Sequence, residues 1–213
     1  MKNTVRCFSL TLILSTAVAC ADSFDLKGAR AGSDFGADDD GWTIVGDAQA
    51  QSVKPDYDGT GGNPDGLISA KDDVTGGVWF FLAPAKYAGD ARPSYGRELE
   101  FDLKISQRED PFDDYDVVLA GGGVVIAFDS AEDPVVDAWS SYAIALAEGA
   151  GWRTLAASGA AYGSKEQFAM LPAATQAELM TVLGALESFR IRGEFNTGPD
   201  TGALDNVRFG AEK

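Results

Sequence analysis

The chain contains no histidine, and both of its cysteines, Cys7 and Cys20, fall within the first 20 residues. Without an imidazole there is no Ser-His-Asp or Cys-His relay. Without His, or Cys beyond position 20, the usual zinc sites and thiol redox chemistry drop out as well. A pair of carboxylates, as in glycoside hydrolysis, is the catalytic chemistry that survives. Cations are scarce: 17 Lys and Arg stand against 33 Asp and Glu, a formal charge of −16. No Lys/Arg cluster offers a face to phosphates, so nucleic acid and anionic lipid surfaces are excluded as partners. Acidity of this degree suits solubility, salty surroundings or divalent cations. Long hydrophobic runs are missing too, and no segment is long and apolar enough for a transmembrane span.

What is present begins with a leader. Lys2 and Arg6 precede a brief apolar core, Cys7 to Leu14, and small residues follow to Ala21. That is the layout of a secretory signal peptide. Ala17-Val18-Ala19 and Ala19-Cys20-Ala21 are both small-x-small cleavage sites, and cleavage after Ala21 is expected. The rival is lipoprotein processing with a lipid anchor on Cys20. The expected organisation is therefore a signal peptide over 1–21 and one domain over 22–213, secreted or periplasmic, or held at the cell envelope by lipid. Losing 21 of 213 residues leaves 192, without cysteine and without Lys2 and Arg6, so the charge of −16 becomes −18. An exported domain without disulfides holds together by core burial or by a metal, and about 190 residues suffice for one core.

Residues 98–105, Glu-Leu-Glu-Phe-Asp-Leu-Lys-Ile, alternate strictly between charged and apolar side chains. Period-two alternation predicts a strand with one buried and one wet face, hence an antiparallel sheet. Further strands are predicted at Trp42–Val45, Leu67–Ala70, Val78–Ala83, Asp116–Leu119, Val124–Phe128, Ser141–Leu146, Trp152–Leu155, Ser188–Phe195 and Leu204–Phe209. Gly121-Gly122-Gly123 supplies a turn, and residues 56–66 read as a long loop. Two capping-box spacings, from Ser164 and from Thr175, predict two short helices around Pro172. Leu179, Val182, Leu183 and Leu186 would share the buried stripe of the second, Gln176 to Ala185. Many short strands with glycine-rich turns mean an all-β sandwich or barrel.

Several phrases stand in a telling order: Gly62–Ala70, Val78–Tyr87, Gly89-Asp90, Ser94-Tyr95-Gly96, Leu99–Leu103, Asp116–Leu119, Gly121–Gly123, Ile191–Phe195 and Leu204–Val207. Over residues 40–210 the chain resembles the laminin B domain, also called laminin IV type A, in its small exported bacterial form. The cysteine-rich repeats that this domain interrupts in laminins are not in this chain. The resemblance implies an antiparallel jelly-roll β-sandwich, similar to galactose-binding and carbohydrate-binding modules, acting by extracellular adhesion or glycan contact and not by catalysis. It also implies a structural calcium held by an early carboxylate, a glycine-rich loop and an acid of the last strand. Here those are Asp25, the loop residues Asn63, Asp65 and Gly66, and Asp205. Oxygen ligands from separate segments are the right chemistry for calcium. The other reading makes Asp65 a turn residue and Asp205 an acceptor of backbone hydrogen bonds.

Sugar recognition needs flat rings beside polar groups. Tyr87, Tyr95, Trp139 and Trp152, with Tyr162, sit in or beside predicted loops and are the ligand-binding candidates; packing is the alternative for each. Trp79 and Phe81 belong to the core. The acidic stretches 110–116 and 129–133 read as solvated turns or as a weak second cation site. Arg190 and Arg192 would point outward and pair with sheet carboxylates. The expected function is an exported, non-catalytic module contacting an extracellular or cell-envelope glycan. The alternative is a structural or adhesion protein whose partner is another protein.

Overall fold

Alternation along Glu98–Ile105 produces the strand it predicts, and two sheets are built around it. A computed structural model describes residues 24–48, 53–72, 77–155 and 164–213. The expected leader with Cys7 and Cys20 lies outside the described residues, as does Tyr162. In chain order the strands are β1 (Ala31–Ser33), β2 (Thr43–Val45), β3 (Asp56–Asp58), β4 (Leu67–Lys71), β5 (Phe80–Leu82), β6 (Glu98–Ile105) and β7 (Val117–Gly121). There follow β8 (Val124–Phe128), β9 (Ser140–Ala145), β10 (Arg153–Leu155), helices α1 (Lys165–Met170) and α2 (Gln176–Gly184), then β11 (Leu186–Arg192) and β12 (Thr201–Ala211).

The first sheet runs β3-β4-β12-β6-β9, with β1 also paired to β12; the second runs β10-β8-β7-β11-β5-β2. All strand pairs in both sheets are antiparallel. This is an all-β, jelly-roll-like sandwich of two sheets with two short helices. Gly122 and Gly123, both with positive φ, close the β7–β8 hairpin, because a two-residue turn matching strand twist needs left-handed backbone.

Leu99, Phe101, Leu103 and Ile105 of β6 meet Val117, Leu119, Phe189 and Ile191 of the other sheet, all buried. Each such side chain contributes about 1.5–3 kcal/mol by leaving water. At one end Trp42, Tyr87, Phe189 and Phe209 pack edge to face, with centroids 5.3–6.4 Å apart. The outer face of the second sheet is partly covered: Phe168 of α1 packs with Tyr115, Ala127 and Leu155. Thr175 and Glu178 form a reciprocal capping box that starts α2, whose Leu179, Val182 and Leu183 are buried.

Three expectations need correcting. Leu186 continues the apolar spacing of α2, but the helix ends at Gly184 and Leu186 opens β11, where it is buried. Residues 56–58 form an edge strand rather than loop. Arg192 does not point outward. It is 1% exposed, lies over the rings of Phe112 and Phe195 at 4.7 and 4.2 Å, and faces Asp116 at 3.6 Å. Its guanidinium donates to the carbonyls of Phe112, Asp114 and Glu194, which makes burial of the charge tolerable.

Candidate functional site: a polar groove on the first sheet

The wet face of β6 begins the site. Glu100 and Asp102 point away from the core, opposite Ala143 and Ser141 of β9 in register. Those two small side chains leave the sheet surface low. On the other side of β6 the register of β12 shifts between Asp205 and Arg208, and Asn206 has φ 53. Such a bulge re-aims side chains. Here it turns the Asn206 amide over Asp102, to which Nδ2 donates at 2.9 Å. The Asn63 amide donates to the same Asp102 oxygen at 3.1 Å, and Asn206 Nδ2 also donates to the Asn63 carbonyl. The loop before β4 is thereby tied over the sheet. Asp102 becomes nearly buried, unlike the solvated residue that alternation alone suggests.

Between this wall and β9 lies a groove of about 410 Å³, lined by Lys27, Asn63, Pro64, Glu100, Phe101, Asp102, Ser141, Tyr142, Ala143, Asn206 and Arg208. Lys27 pairs with Glu100 at 2.9 Å, and Arg208 approaches the same carboxylate at 3.5 Å. Arg208 is fixed from behind by the Phe24 ring at 4.3 Å and the Asp25 carbonyl at 2.6 Å. The groove therefore presents carboxylate, amide, ammonium and guanidinium groups above a floor of small residues. The two acids lie on the same strand, each already engaged by donors. Hydrolysis of a glycosidic bond instead needs two carboxyls on opposite sides of that bond.

The aromatic candidates divide. Tyr87 is 1% exposed and Trp152 is 2% exposed, so neither offers a ring face to a ligand. The Tyr87 hydroxyl bonds Ser33 at 2.8 Å inside the aromatic cluster, and the Trp152 indole donates to the Ala145 carbonyl at 2.8 Å. Both are packing residues; each loop position lies over the core. Tyr95 is half-buried against the core, and its hydroxyl accepts the Glu148 N–H at 3.4 Å. Trp139 alone stands partly exposed beside the groove. It precedes β9, and the Lys104 ammonium lies 4.8 Å from its ring centroid. Lys104 is the next outward side chain after Asp102, so Trp139 continues the line of the groove along β6.

The expected calcium residues are brought together only in part. Asn63, Asp65 and Gly66 share the loop that folds onto Asp205. Asp65 has φ 71, and its carbonyl accepts the Gly62 N–H at 2.7 Å. Gly66 runs so close to the Phe35 carbonyl that no side chain fits. Asp205, fully buried, accepts the N–H of Asn63 at 2.5 Å and of Asn206 at 2.6 Å. Burial pushes its carboxyl up to about 7, helped by the neighbouring acids Asp102 and Asp34, while the two N–H groups pull the other way. The carboxylate of Asp25 stays in its own turn and accepts the Lys27 N–H at 2.8 Å. Among the described residues, no three His, Cys, Asp or Glu side chains are grouped as a metal site.

The two acidic stretches are not merely solvated turns. Lys165 of α1 reaches Asp129 at 2.8 Å, Asp133 at 3.3 Å and the Ser130 carbonyl at 2.7 Å. Asp116 is buried beneath, and burial raises its carboxyl to about 6 despite Arg192.

Fold and groove together define a two-sheet β-sandwich module with an open, polar outer face. The Laminin B (Domain IV) family matches residues 80–211, and the chain belongs to that family. The human laminin subunit gamma-1 is 28% identical over 128 residues, which are 60% of this chain and 7% of that relative's length. The L4b domain of human laminin alpha-2 shares the fold, with a TM-score of 0.54 at 14% identity, over 81% of this chain and 98% of that one. A family 11 carbohydrate-binding module of a Clostridium thermocellum cellulosomal cellulase gives a TM-score of 0.44 at 14% identity, over 81% and 88%.

Proposed function

We propose that this chain is an exported, non-catalytic module that holds an extracellular or cell-envelope glycan in the groove of β6, β9 and β12. The reading includes the bacterial, exported form of the laminin B domain, with secretion or a lipid anchor at Cys20 as its two routes out of the cell. The observation that carries it is the groove itself. Acids and amides fixed above a low floor are the groups that exchange hydrogen bonds with sugar hydroxyls, and Trp139 at its end is a ring on which a sugar face could stack. The Lys27 ammonium of the Lys27–Glu100 pair is well exposed, and a pair so open to water is worth less than about 1 kcal/mol, so a ligand displaces it at little cost.

A protein partner is the second reading. It would be favoured by a broad exposed apolar patch. The exposed large apolar side chains among the described residues are Leu26, Val53, Tyr57, Val135, Val136 and Met170, of which only Val135 and Val136 are adjacent in the chain.

The test is a glycan array probed with the wild type and with Ala143→Leu. Ala143 is exposed on the groove floor, so leucine fills the groove without touching the core. Binding of the wild type to a defined set of glycans, lowered tenfold or more by the substitution, is the expected result. No binding by the wild type, or binding that Ala143→Leu leaves unchanged, would contradict the proposal.

A further inference from the structure

An edge strand offers a row of free backbone groups to any strand that can pair with it, and proteins blunt such edges with short strands, charges, prolines, bulges or a covering segment. Three of the four sheet edges here are blunted. β3 is three residues long and carries Asp56 and Asp58. On the outer side of β2 the Ile44 N–H donates to the Val53 carbonyl at 2.9 Å. Residues 172–174 cover β10: the Thr154 N–H donates to the Pro172 carbonyl and the Ala174 N–H to the Trp152 carbonyl, both at 2.9 Å. β9 is left open. It is six residues long, pairs with β6 on one side, and among the described residues no backbone group pairs with its other side. No charge or proline stands between Ala138 and Ala147, and the register with β6 runs without a shift. The Leu146 N–H donates to the Arg97 carbonyl at 2.8 Å, so by alternation Ile144 and Tyr142 also face β6. Ser141, Ala143 and Ala145 then turn their N–H and C=O groups outward. The Ala145 carbonyl fits this, since it accepts the Trp152 indole N–H at 2.8 Å.

We infer that β9 pairs antiparallel with β9 of a second copy of this chain, about a two-fold axis at Tyr142. In that register Ser141 exchanges both of its outward bonds with Ala143 of the partner subunit, and Ala143 does the same with the partner's Ser141. The Ala145 carbonyl, already taken by Trp152, is not needed. Tyr142 sits at the axis, half-buried and stacked on Phe101 at 5.1 Å between ring centroids, and meets Tyr142 of the partner subunit as the close, non-hydrogen-bonded pair. A second copy is the occupant that the edge selects. Its strand matches in length and alternation, and it brings no charge against β9, although each copy carries a formal −16. A foreign strand would find only exposed Ser141 and Ala143 beside the backbone, without a charge to pair with. The contact is narrow, about 20 Å of strand, which places it at the weak end of specific association with a Kd of about 10–100 µM. A two-fold axis normal to the sheet keeps both wet faces on the same side, so the two grooves open together. The pairing does not depend on the groove binding a glycan.

The experiment follows the mass of the protein, expressed from its full sequence, by sedimentation velocity between about 5 and 500 µM, a range chosen to bracket that Kd. The wild type should pass from one chain to two, and added salt should strengthen the dimer by screening the like charges of the two copies. Ala143→Pro removes an outward N–H and leaves the ladder to β6 intact, as proline on the solvent side of an edge strand does. It should remain a monomer at the highest concentration. Should that variant fail to fold, amide exchange in the wild type, resolved by NMR, reads the same contact: the Ser141 and Ala143 amides should exchange at least tenfold more slowly at the high concentration. A wild type that stays monomeric throughout, a dimer that Ala143→Pro retains, or a dimer with no slowing at Ser141 and Ala143 would each overturn the inference.

Discussion

Asp205→Asn separates two ways in which the acid under the bulge could be held. Asp205 is fully buried, and its carboxyl is raised from the usual 3.8 to about 7, chiefly by desolvation. A raised folded-state pKa means that the folded chain binds a proton the unfolded chain has released. Stability from this group is therefore complete below pH 4 and drains away as pH climbs towards 7. At about 1.4 kcal/mol per tenfold change in proton affinity, the full loss above pH 8 is about 4 kcal/mol. Asparagine has the shape of the protonated acid: one carbonyl to accept from Asn63 or Asn206, and no charge to desolvate. The variant should match the wild type at pH 5 and exceed it at pH 8.5 by about 2–4 kcal/mol, the lower figure allowing for one weakened N–H bond. For a domain of this size that is a Tm rise of roughly 5–12 °C, read by calorimetry in chelator at both pH values. If Asp205→Asn were equally destabilising at both, the carboxylate would be ionised and well satisfied by its two N–H donors, and the desolvation argument would be wrong.

Two further substitutions test how the sandwich is held together. Arg192→Ala strands Asp116 and three carbonyls in the interior, so it should cost about 3–5 kcal/mol and lower the urea midpoint accordingly. A loss below about 1 kcal/mol would mean that water reaches that space. Gly66→Ala places a methyl carbon 1.7 Å from the Phe35 carbonyl oxygen, against backbone that cannot simply rotate away. It should destabilise by roughly 1–3 kcal/mol or more and lift the 59–66 loop from the groove, weakening any ligand there; an unchanged Tm with intact binding would refute the tight approach.

Elements with a one-sided apolar pattern were legible in the sequence. β6 and β8 fall where alternation or an apolar run between turns places them, and both helices begin at their capping residues. β3 was not legible because Asp56, Tyr57 and Asp58 are all exposed at a sheet edge, so no buried face imprints a period. Leu186 fits a helical stripe by spacing, yet the strand that follows takes it; periodicity cannot tell the end of one buried element from the start of another. Arg192 broke the alternation rule because Phe112 and Phe195 fold over the end of β11 and enclose its guanidinium. The groove was the least visible part. It depends on left-handed backbone at Asn206 and on a loop returning from residue 63, neither of which a hydrophobic pattern records. Its one local signal was Asp205-Asn206 in the middle of β12, a pair that suits a bulge better than a regular ladder. The aromatic candidates failed at Tyr87 and Trp152 for a related reason: a ring beside a loop is as often the lid of the core as a platform for a ligand.

The claim that matters most is where a glycan lies on this sandwich. Hydrogen exchange with and without a glycan selected on the array measures it directly. The account predicts slower exchange along residues 100–104 and 139–143 and in the loop around Asn63 and Asn206, with β7, β8 and β10 unchanged. Protection confined to β7, β8 and β10, leaving β6 and β9 unaffected, would contradict it.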